Sequence, residues 1–181
     1  MTELSALSPC AGLLPVSVGS CRLEEIDLGR MTSVSPFRGQ LAAASSALRS
    51  AYGLAFPQPN QAARTNDAHV IWFGRDTALL LGPEPADGIK KVAALTDQSD
   101  AWATVVLKGS DGDQVLARRV PVDLRPAHFK AGETRRTLFG HMNASITRLA
   151  DDAILILVFR SMAQTLVEEM QEAMEAVAAR G

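Results

Sequence analysis

The residues that could carry acid–base chemistry in this 181-residue sequence are its three histidines, His69, His128 and His141. Histidine can serve as a general base because its unperturbed pKa lies near neutrality. Each of the three stands alone, with no nucleophile or orienting carboxylate at a spacing typical of a catalytic site. We interpret His69 and His128 as core or surface residues, and His141 is the one candidate to test.

Two acidic segments could contact phosphate or calcium, or form a catalytic carboxylate pair. Residues 109–113, Gly-Ser-Asp-Gly-Asp, lack the continuation of a phosphate loop and the twelve-residue calcium pattern. A turn and a helix N-terminus carrying Asp111 and Asp113 explain this segment. Asp151 and Asp152 are neighbours at a predicted hairpin tip, where successive side chains diverge, so we interpret them as turn residues.

The two cysteines, Cys10 and Cys21, lack the CxxC spacing and the nearby histidine of a metal site. No GxSxG elbow, P-loop or GxGxxG context supplies a nucleophile or a nucleotide site. The sequence therefore predicts no catalytic, cofactor-binding or metal-binding residue in this chain.

Positive charge gathers in one segment, the basic cluster. It could meet an acidic subunit surface or an anionic ligand such as polyglutamate, or it could simply face solvent. Its members are Arg118, Arg119, Arg125, Lys130, Arg135 and Arg136. The 18 Lys and Arg residues are otherwise scattered and the net charge is −2, which argues against a nucleic-acid partner.

The composition favours a cytoplasmic protein without a membrane partner. The longest apolar run, residues 153–159, is seven residues, against about 20 for a membrane span. The first basic residue is Arg22, and Pro9 and Pro15 interrupt the early apolar residues, unlike a secretory signal.

The elements that must position these residues begin with a predicted N-terminal arm over residues 1–21, rich in Ser, Pro, Gly and Ala, whose order would depend on a partner. Residues 22–28 alternate as a strand, and residues 37–52 predict a helix closed by Gly53. The following elements are a hairpin over 68–73 and 77–81 with the turn 74–76, and a helix over 86–95.

The second half repeats this order. It predicts a strand over 102–108, a short helix over 111–119, a hairpin from 137–149 and 153–159, and a last helix opened by a Ser161–Gln164 capping box. The apolar residues of that last helix recur at three- and four-residue steps: Met162, Leu166, Met170, Ala173, Met174 and Val177. We interpret them as core packing, with an adaptable contact surface as the alternative.

Strand, helix, hairpin and helix thus occur twice. The repeat predicts a single α+β domain over residues 22–181 made of two similar halves, about 22–98 and 99–181. Their sheets would face each other or join edge to edge, with the helices outside. The alternative is a coincidental match between two ordinary hairpins.

Two segments of the second half carry a family resemblance: Gly-His-Met-Asn-Ala-Ser-Ile-Thr-Arg at 140–148 and Val-Phe-Arg-Ser-Met at 158–162. With them, the chain from about Leu23 onwards resembles the gamma subunit of heterotetrameric sarcosine oxidase. It is more distantly similar to the folate-binding domain of the glycine cleavage system aminomethyltransferase, whose duplicated α+β halves would account for the repeat.

The chain departs from the aminomethyltransferase pattern where folate would bind. Aligning residues 148–152, Arg-Leu-Ala-Asp-Asp, places Met142 and Asn143 at the positions of that family's paired carboxylates. The Asn after the family's next strand falls near Phe159 and Arg160. The resemblance therefore implies a chain that kept the fold and lost the folate site.

The resemblance implies a non-catalytic accessory subunit of an enzyme that oxidatively demethylates sarcosine to glycine. The other products would be hydrogen peroxide and either formaldehyde or 5,10-methylenetetrahydrofolate. FAD, FMN, NAD and zinc would lie in partner subunits, and the partners would be the alpha, beta and delta subunits, chiefly alpha. The alternatives are the gamma chain of a related N-methylglutamate dehydrogenase, and a free-standing folate-binding protein acting through His141, Asn143 and the basic cluster.

Overall fold

A computed structural model describes residues 6–180, which form eleven strands and four α-helices. The strands are β1 (Val16–Val18), β2 (Cys21–Glu25), β3 (Arg30–Pro36), β4 (Ala62–Arg64), β5 (His69–Gly74), β6 (Thr77–Gly82), β7 (Ala93–Asp97), β8 (Trp102–Lys108), β9 (Thr134–Phe139), β10 (Met142–Ala150) and β11 (Ala153–Phe159). The helices are α1 (Leu41–Tyr52), α2 (Asp87–Lys90), α3 (Gly112–Leu116) and α4 (Ala163–Ala178), the last preceded by a 3-10 turn at Arg160–Met162.

The strands form two antiparallel sheets, packed face to face. The first is six-stranded, in the order β1-β2-β8-β11-β10-β9, and the second is five-stranded, in the order β4-β5-β6-β3-β7. Leu79 and Leu81 of the second sheet pack with Leu155 and Leu157 of the first in one buried cluster. Helices α3 and α4 cover the outer face of the first sheet, and α1 and α2 that of the second. The predicted arrangement with facing sheets and outer helices is therefore observed.

The predicted duplicated α+β fold is confirmed. The segments β3-α1-β4-β5-β6-α2 and β8-α3-β9-β10-β11-α4 repeat the same order, and their strands lie as β4-β5-β6-β3 and β9-β10-β11-β8. The strand that precedes each segment lies in the sheet of the other: β2 pairs with β8, and β7 pairs with β3. Each half therefore completes the sheet of its counterpart.

The N-terminal segment differs from the expected arm. Val16–Val18 pairs with β2 as an edge strand, and Cys10 is fully buried. The Cys10 backbone N–H donates to the Glu25 carboxylate over 2.9 Å, and Leu14 packs against the core beneath α4. Its few apolar residues are enough to dock it, although Ser, Gly and Pro dominate the composition. Residues 1–5 of the predicted arm lie outside the described residues.

Several strands differ from the sequence-based prediction, among them the short strands β1 and β4, which it does not include. Strand β3 carries mixed polar and apolar residues and was not anticipated, although it lies between β6 and β7. The predicted helix over 86–95 ends at Lys90, because residues 93–97 extend to pair with β3. The predicted strand over 137–149 is broken into β9 and β10 by Gly140, whose φ is 57°.

Helix α4 buries most of the apolar face that the sequence predicts, but the predicted capping box is absent from its N-terminus. Leu166, Met170, Ala173 and Met174 are buried, which confirms core packing for these residues, whereas Met162 is 40 % exposed in the turn before the helix. The capping box is not formed, because Ser161 belongs to the 3-10 turn and the Gln164 side chain donates instead to Glu168 over 2.8 Å. None of the helices within residues 6–180 has the length and apolarity that crossing a membrane requires.

Candidate functional site

The three histidines lie on separate elements. His69 lies on β5, His128 is exposed in the loop before β9, and His141 is exposed in the turn between β9 and β10. The nearest carboxylate to His128 is Asp123, with 4.0 Å between Nε2 and Oδ2. The structure therefore assembles no histidine dyad from the described part of the chain.

The fold opposes protonation of His69. The ring lies on the face of β5 that the other sheet covers, and Arg64 is its partner on β4. Burial, and then the positive charge of Arg64, lower the pKa of His69 to about 4. A histidine in the unfolded chain titrates near 6.5, so the unfolded state binds more protons than the folded state between these values.

We therefore expect the free energy of unfolding to fall as the pH falls from about 6.5 towards 4, by roughly 1–3 kcal/mol from this group. Urea midpoints of the wild type and His69→Gln at pH 7.5 and pH 4.5 check it, and the variant should lose this part of the decrease. His128→Gln is the control, because His128 is 61 % exposed and should keep the wild-type pH dependence. An unchanged pH dependence in His69→Gln would contradict the prediction.

The four aspartates considered above as ligand-binding or catalytic groups have structural surroundings. Helix α3 begins after Asp111 as predicted, but the Asp111 carboxylate accepts hydrogen bonds from Ser20 and Gln114, not from a helix N–H. Asp113 pairs with the buried Arg148. Asp151 and Asp152 are exposed, in agreement with their interpretation as turn residues.

The thiols are held protonated by their surroundings. Burial, and then the negative charge of Glu25, raise the pKa of the Cys10 thiol to about 12, and burial also raises the pKa of Cys21. Thiolates, not thiols, bind metals and attack electrophiles. Among residues 6–180 no three His, Cys, Asp or Glu side chains group as a metal site would require. The expectation that this chain holds no metal, cofactor or catalytic residue stays a prediction.

The structure divides the predicted basic cluster. Three members form ion pairs: Arg119 with Glu172, Arg125 with Asp123, and Arg135 with Glu133. Because side chains alternate along a strand, Arg135 and Arg136 point to opposite faces of β9. The basic cluster therefore forms no continuous basic face among the described residues. The side chain of Arg136 lies in the space between the two sheets.

Arg136 lies in a cluster of aromatic rings that the sequence did not reveal. Its guanidinium carbon is 4.1 Å from the centre of the Phe73 ring and 5.6 Å from that of Trp102. Trp102 stacks on Phe159 with 4.8 Å between ring centres and meets the edge of Phe73 at 5.1 Å. We call these four residues the aromatic–arginine cluster. It joins β5 of one sheet to β8, β9 and β11 of the other.

Three buried hydrogen-bond donors in or beside the aromatic–arginine cluster have no acceptor in the described part of the chain. Ser145 lies opposite Arg136 in the β9–β10 register. Ser145 Oγ, Arg136 Nη1 and Trp102 Nε1 are all buried and have no hydrogen-bond partner within residues 6–180. The sequence signal for Arg136 is its position on β9: it is two residues from Thr134, so it shares the inner face with that buried side chain.

Two surface grooves lie away from His141 and Asn143. The larger, of about 580 Å³, is lined by Leu41 of α1, by Phe56 and by Trp72 of β5, with Arg75 at its rim. The second, of about 360 Å³, lies beside residues 25–29 and is lined in part by Trp102 and Arg160. Neither groove is lined by His141 or Asn143. Another groove, of about 520 Å³, is lined by Arg118 and Arg119 of the basic cluster, again without His141 or Asn143. The groups of the free-standing folate-binding alternative are therefore not gathered in any of these three grooves.

Neither a protein-family model nor a curated protein sequence matches this chain. Its architecture is the duplicated α+β fold of the aminomethyltransferases. It superposes on the glycine cleavage system aminomethyltransferase T from Bartonella henselae with a TM-score of 0.57 and 14 % identity. That alignment covers 84 % of this chain and 46 % of the aminomethyltransferase.

A fuller match is to a chain of the heterotetrameric sarcosine oxidase from Corynebacterium sp. U-96, whose structure was solved in complex with pyrrole 2-carboxylate. The TM-score is 0.81 at 20 % identity, and the alignment covers 96 % of each chain. At this identity the likeness establishes a shared fold. The resemblance predicted from residues 140–148 and 158–162 is confirmed at that level.

Proposed function

We propose that this chain is a non-catalytic accessory subunit, of the gamma type, of a cytoplasmic heterotetrameric sarcosine oxidase. The observation that carries the proposal is the reciprocal coverage of 96 % with a chain of such an enzyme. The alignment spans nearly all of that chain, whereas it spans less than half of the aminomethyltransferase.

The replaced carboxylate positions support an accessory role. Met142 is 7 % exposed and packs into the core beneath α4, whereas Asn143 is exposed on the opposite face of β10. An apolar side chain in the core and an amide at the surface cannot act as a carboxylate pair. In this proposal the alpha, beta and delta subunits hold FAD, FMN, NAD and zinc, and alpha is the chief partner.

Co-expression with the three other subunits tests the proposal. We expect a tag on this chain to isolate a flavin-coloured heterotetramer by native mass spectrometry, which converts sarcosine to glycine with hydrogen peroxide and formaldehyde or 5,10-methylenetetrahydrofolate. Activity on N-methylglutamate instead of sarcosine would assign the chain to that related dehydrogenase. A colourless monomer beside an assembled complex of the other three subunits would contradict the proposal.

Calorimetric titration of the isolated chain with tetrahydrofolate distinguishes the accessory subunit from the alternative, a free-standing folate-binding protein. We expect no binding at millimolar ligand, because His141 and Asn143 are exposed and line none of the grooves described above. Saturable binding that Asn143→Ala abolishes would favour the folate-binding protein.

A further inference from the structure

The inner face of the six-stranded sheet is left uncovered at one end. Leu138 and Asn143 are register partners there, and Phe159 is the register partner of Trp102. Leu138 is 42 % and Phe159 is 44 % exposed, although two residues earlier on β11 Leu157 is fully buried between the sheets. We call Leu138, Asn143 and Phe159 the inner ledge. The inner ledge is therefore the exposed end of the sheet face that is otherwise buried between the two sheets.

Exposed apolar side chains concentrate around the inner ledge. Of the six large apolar side chains exposed within residues 6–180, four belong to this region: Leu7, Leu138, Phe159 and Met162. Met162 ends the turn that follows β11, and the Leu7 carbonyl accepts a hydrogen bond from Arg160 over 2.5 Å. A contiguous apolar patch on a protein surface is typical of an interaction site.

Directly behind the inner ledge lies the guanidinium of Arg136, which has no counterion among the described residues. Arg136 and Ser145 occupy the next row of the same face, each two residues from a ledge residue on its own strand. The part of the chain that the structure describes offers Arg136 no carboxylate, and burial lowers the pKa of its guanidinium. Arg148, which is buried on the opposite, helix-covered face of the same sheet, has the Asp113 carboxylate as partner.

Charge complementarity therefore defines what should cover this surface. A buried donor without an acceptor has lost its hydrogen bonds to water without replacement, and this penalty is larger when the donor is charged. A carboxylate brought to Arg136 would remove that cost, and its second oxygen could accept from Ser145. The exposed side chains of Phe159 and Leu138 are apolar, so an apolar side chain beside the carboxylate would cover them best.

We propose that the inner ledge is a docking surface for another subunit, which places an apolar side chain on Phe159 and Leu138 and an Asp, Glu or chain-terminal carboxylate against Arg136. The proposal rests on the proposed function, because it takes the occupant from the same assembly. The occupant is a peptide segment and not a small ligand, because it has to cover exposed apolar side chains on two strands, Leu138 of β9 and Phe159 of β11, as well as reach Arg136.

The test uses the co-expressed assembly, purified by a tag on another subunit. We expect Arg136→Gln and Phe159→Ser to weaken retention of this chain at least 10-fold on dilution. Arg75→Gln is the control, because Arg75 is 96 % exposed beyond the other sheet and should be retained like the wild type. Thermal unfolding of the isolated variants shows whether each one still folds.

A photo-crosslinking residue at position 159 identifies the occupant. We expect a crosslink to a peptide of another subunit that contains a carboxylate, and none from the same group at position 75. A crosslink to residues 1–5 of this chain, or to a second copy of it, would overturn the proposal. So would wild-type retention of both Arg136→Gln and Phe159→Ser. Failure of the wild type itself to join the assembly would instead refute the proposed function.

Discussion

Replacing Arg148 by methionine is expected to lower the free energy of unfolding by about 3–5 kcal/mol, the typical cost of breaking a buried ion pair. Arg148 is 1 % exposed. Its Nη2 donates to Asp113 Oδ1 and to the Leu124 carbonyl, each over 2.5 Å, and its Nη1 donates to the Asp151 carbonyl over 2.8 Å. One side chain therefore joins α3, the loop before β9 and the tip of the β10–β11 hairpin.

Urea unfolding monitored by circular dichroism measures this loss. Arg125→Met is the matched control, because Arg125 pairs with Asp123 on the surface with 72 % of its side chain exposed, and such pairs contribute less than about 1 kcal/mol. The double variant Arg148→Met with Asp113→Asn should lose less than the sum of the single losses, since it leaves no unpaired carboxylate. Similar losses for Arg148→Met and Arg125→Met would contradict the argument.

Gly109→Ala is expected to cost about 2–4 kcal/mol, because it combines backbone strain with overpacking. Gly109 has a φ of 132°, and its backbone N–H donates to the Asp152 carbonyl over 2.9 Å. A Cβ atom there would collide with the Ser20 carbonyl oxygen and lie 2.9 Å from the Cys21 Cα. Neither contact can relax without separating β2 from β8.

Gly39→Ala isolates the two contributions to that cost. Gly39 has a φ of 79°, yet nothing lies within 4 Å of a Cβ built on it. Its substitution should cost only about 1 kcal/mol, the penalty of a left-handed conformation for a residue with a side chain. Chemical denaturation of both variants gives the comparison. Equal costs would show that the approach of Ser20 to Gly109 is loose.

The elements that the sequence predicted well are those with a strong hydrophobic pattern. Strand β8 was predicted with its observed bounds, and α4 with its buried face, because a continuous apolar run and a 3.6-residue period have few alternative explanations. Residues 93–97 are short and mixed, and only pairing with β3 decides that they extend. The docking of the N-terminal segment was not predicted, because composition alone does not show which apolar side chains become buried.

The candidate surface was less accessible to sequence reasoning than the fold. Arg135 and Arg136 are equivalent in a count of charge, and only the alternation of β9 sends one to a carboxylate and the other to the aromatic rings. The missing acceptors around Ser145 and Trp102 depend on side chains from several strands. The resemblance, in contrast, rested on a segment that includes Asn143 and Ser145, two residues of this same surface.

Strand β2 pairs with β8 and strand β7 pairs with β3, so each half contributes a strand to the sheet of the other. This pairing sets the order in which the protein can fold as it leaves the ribosome. The five-stranded sheet uses only residues 30–97, so it can close while the rest of the chain is still being made. The β1–β2 hairpin is synthesised earlier, yet its partner β8 comes only at residues 102–108. Until then β2 presents an unpaired edge, and such edges pair readily with other chains. Strand β2 thus keeps one unpaired edge until residues 102–108 have been made.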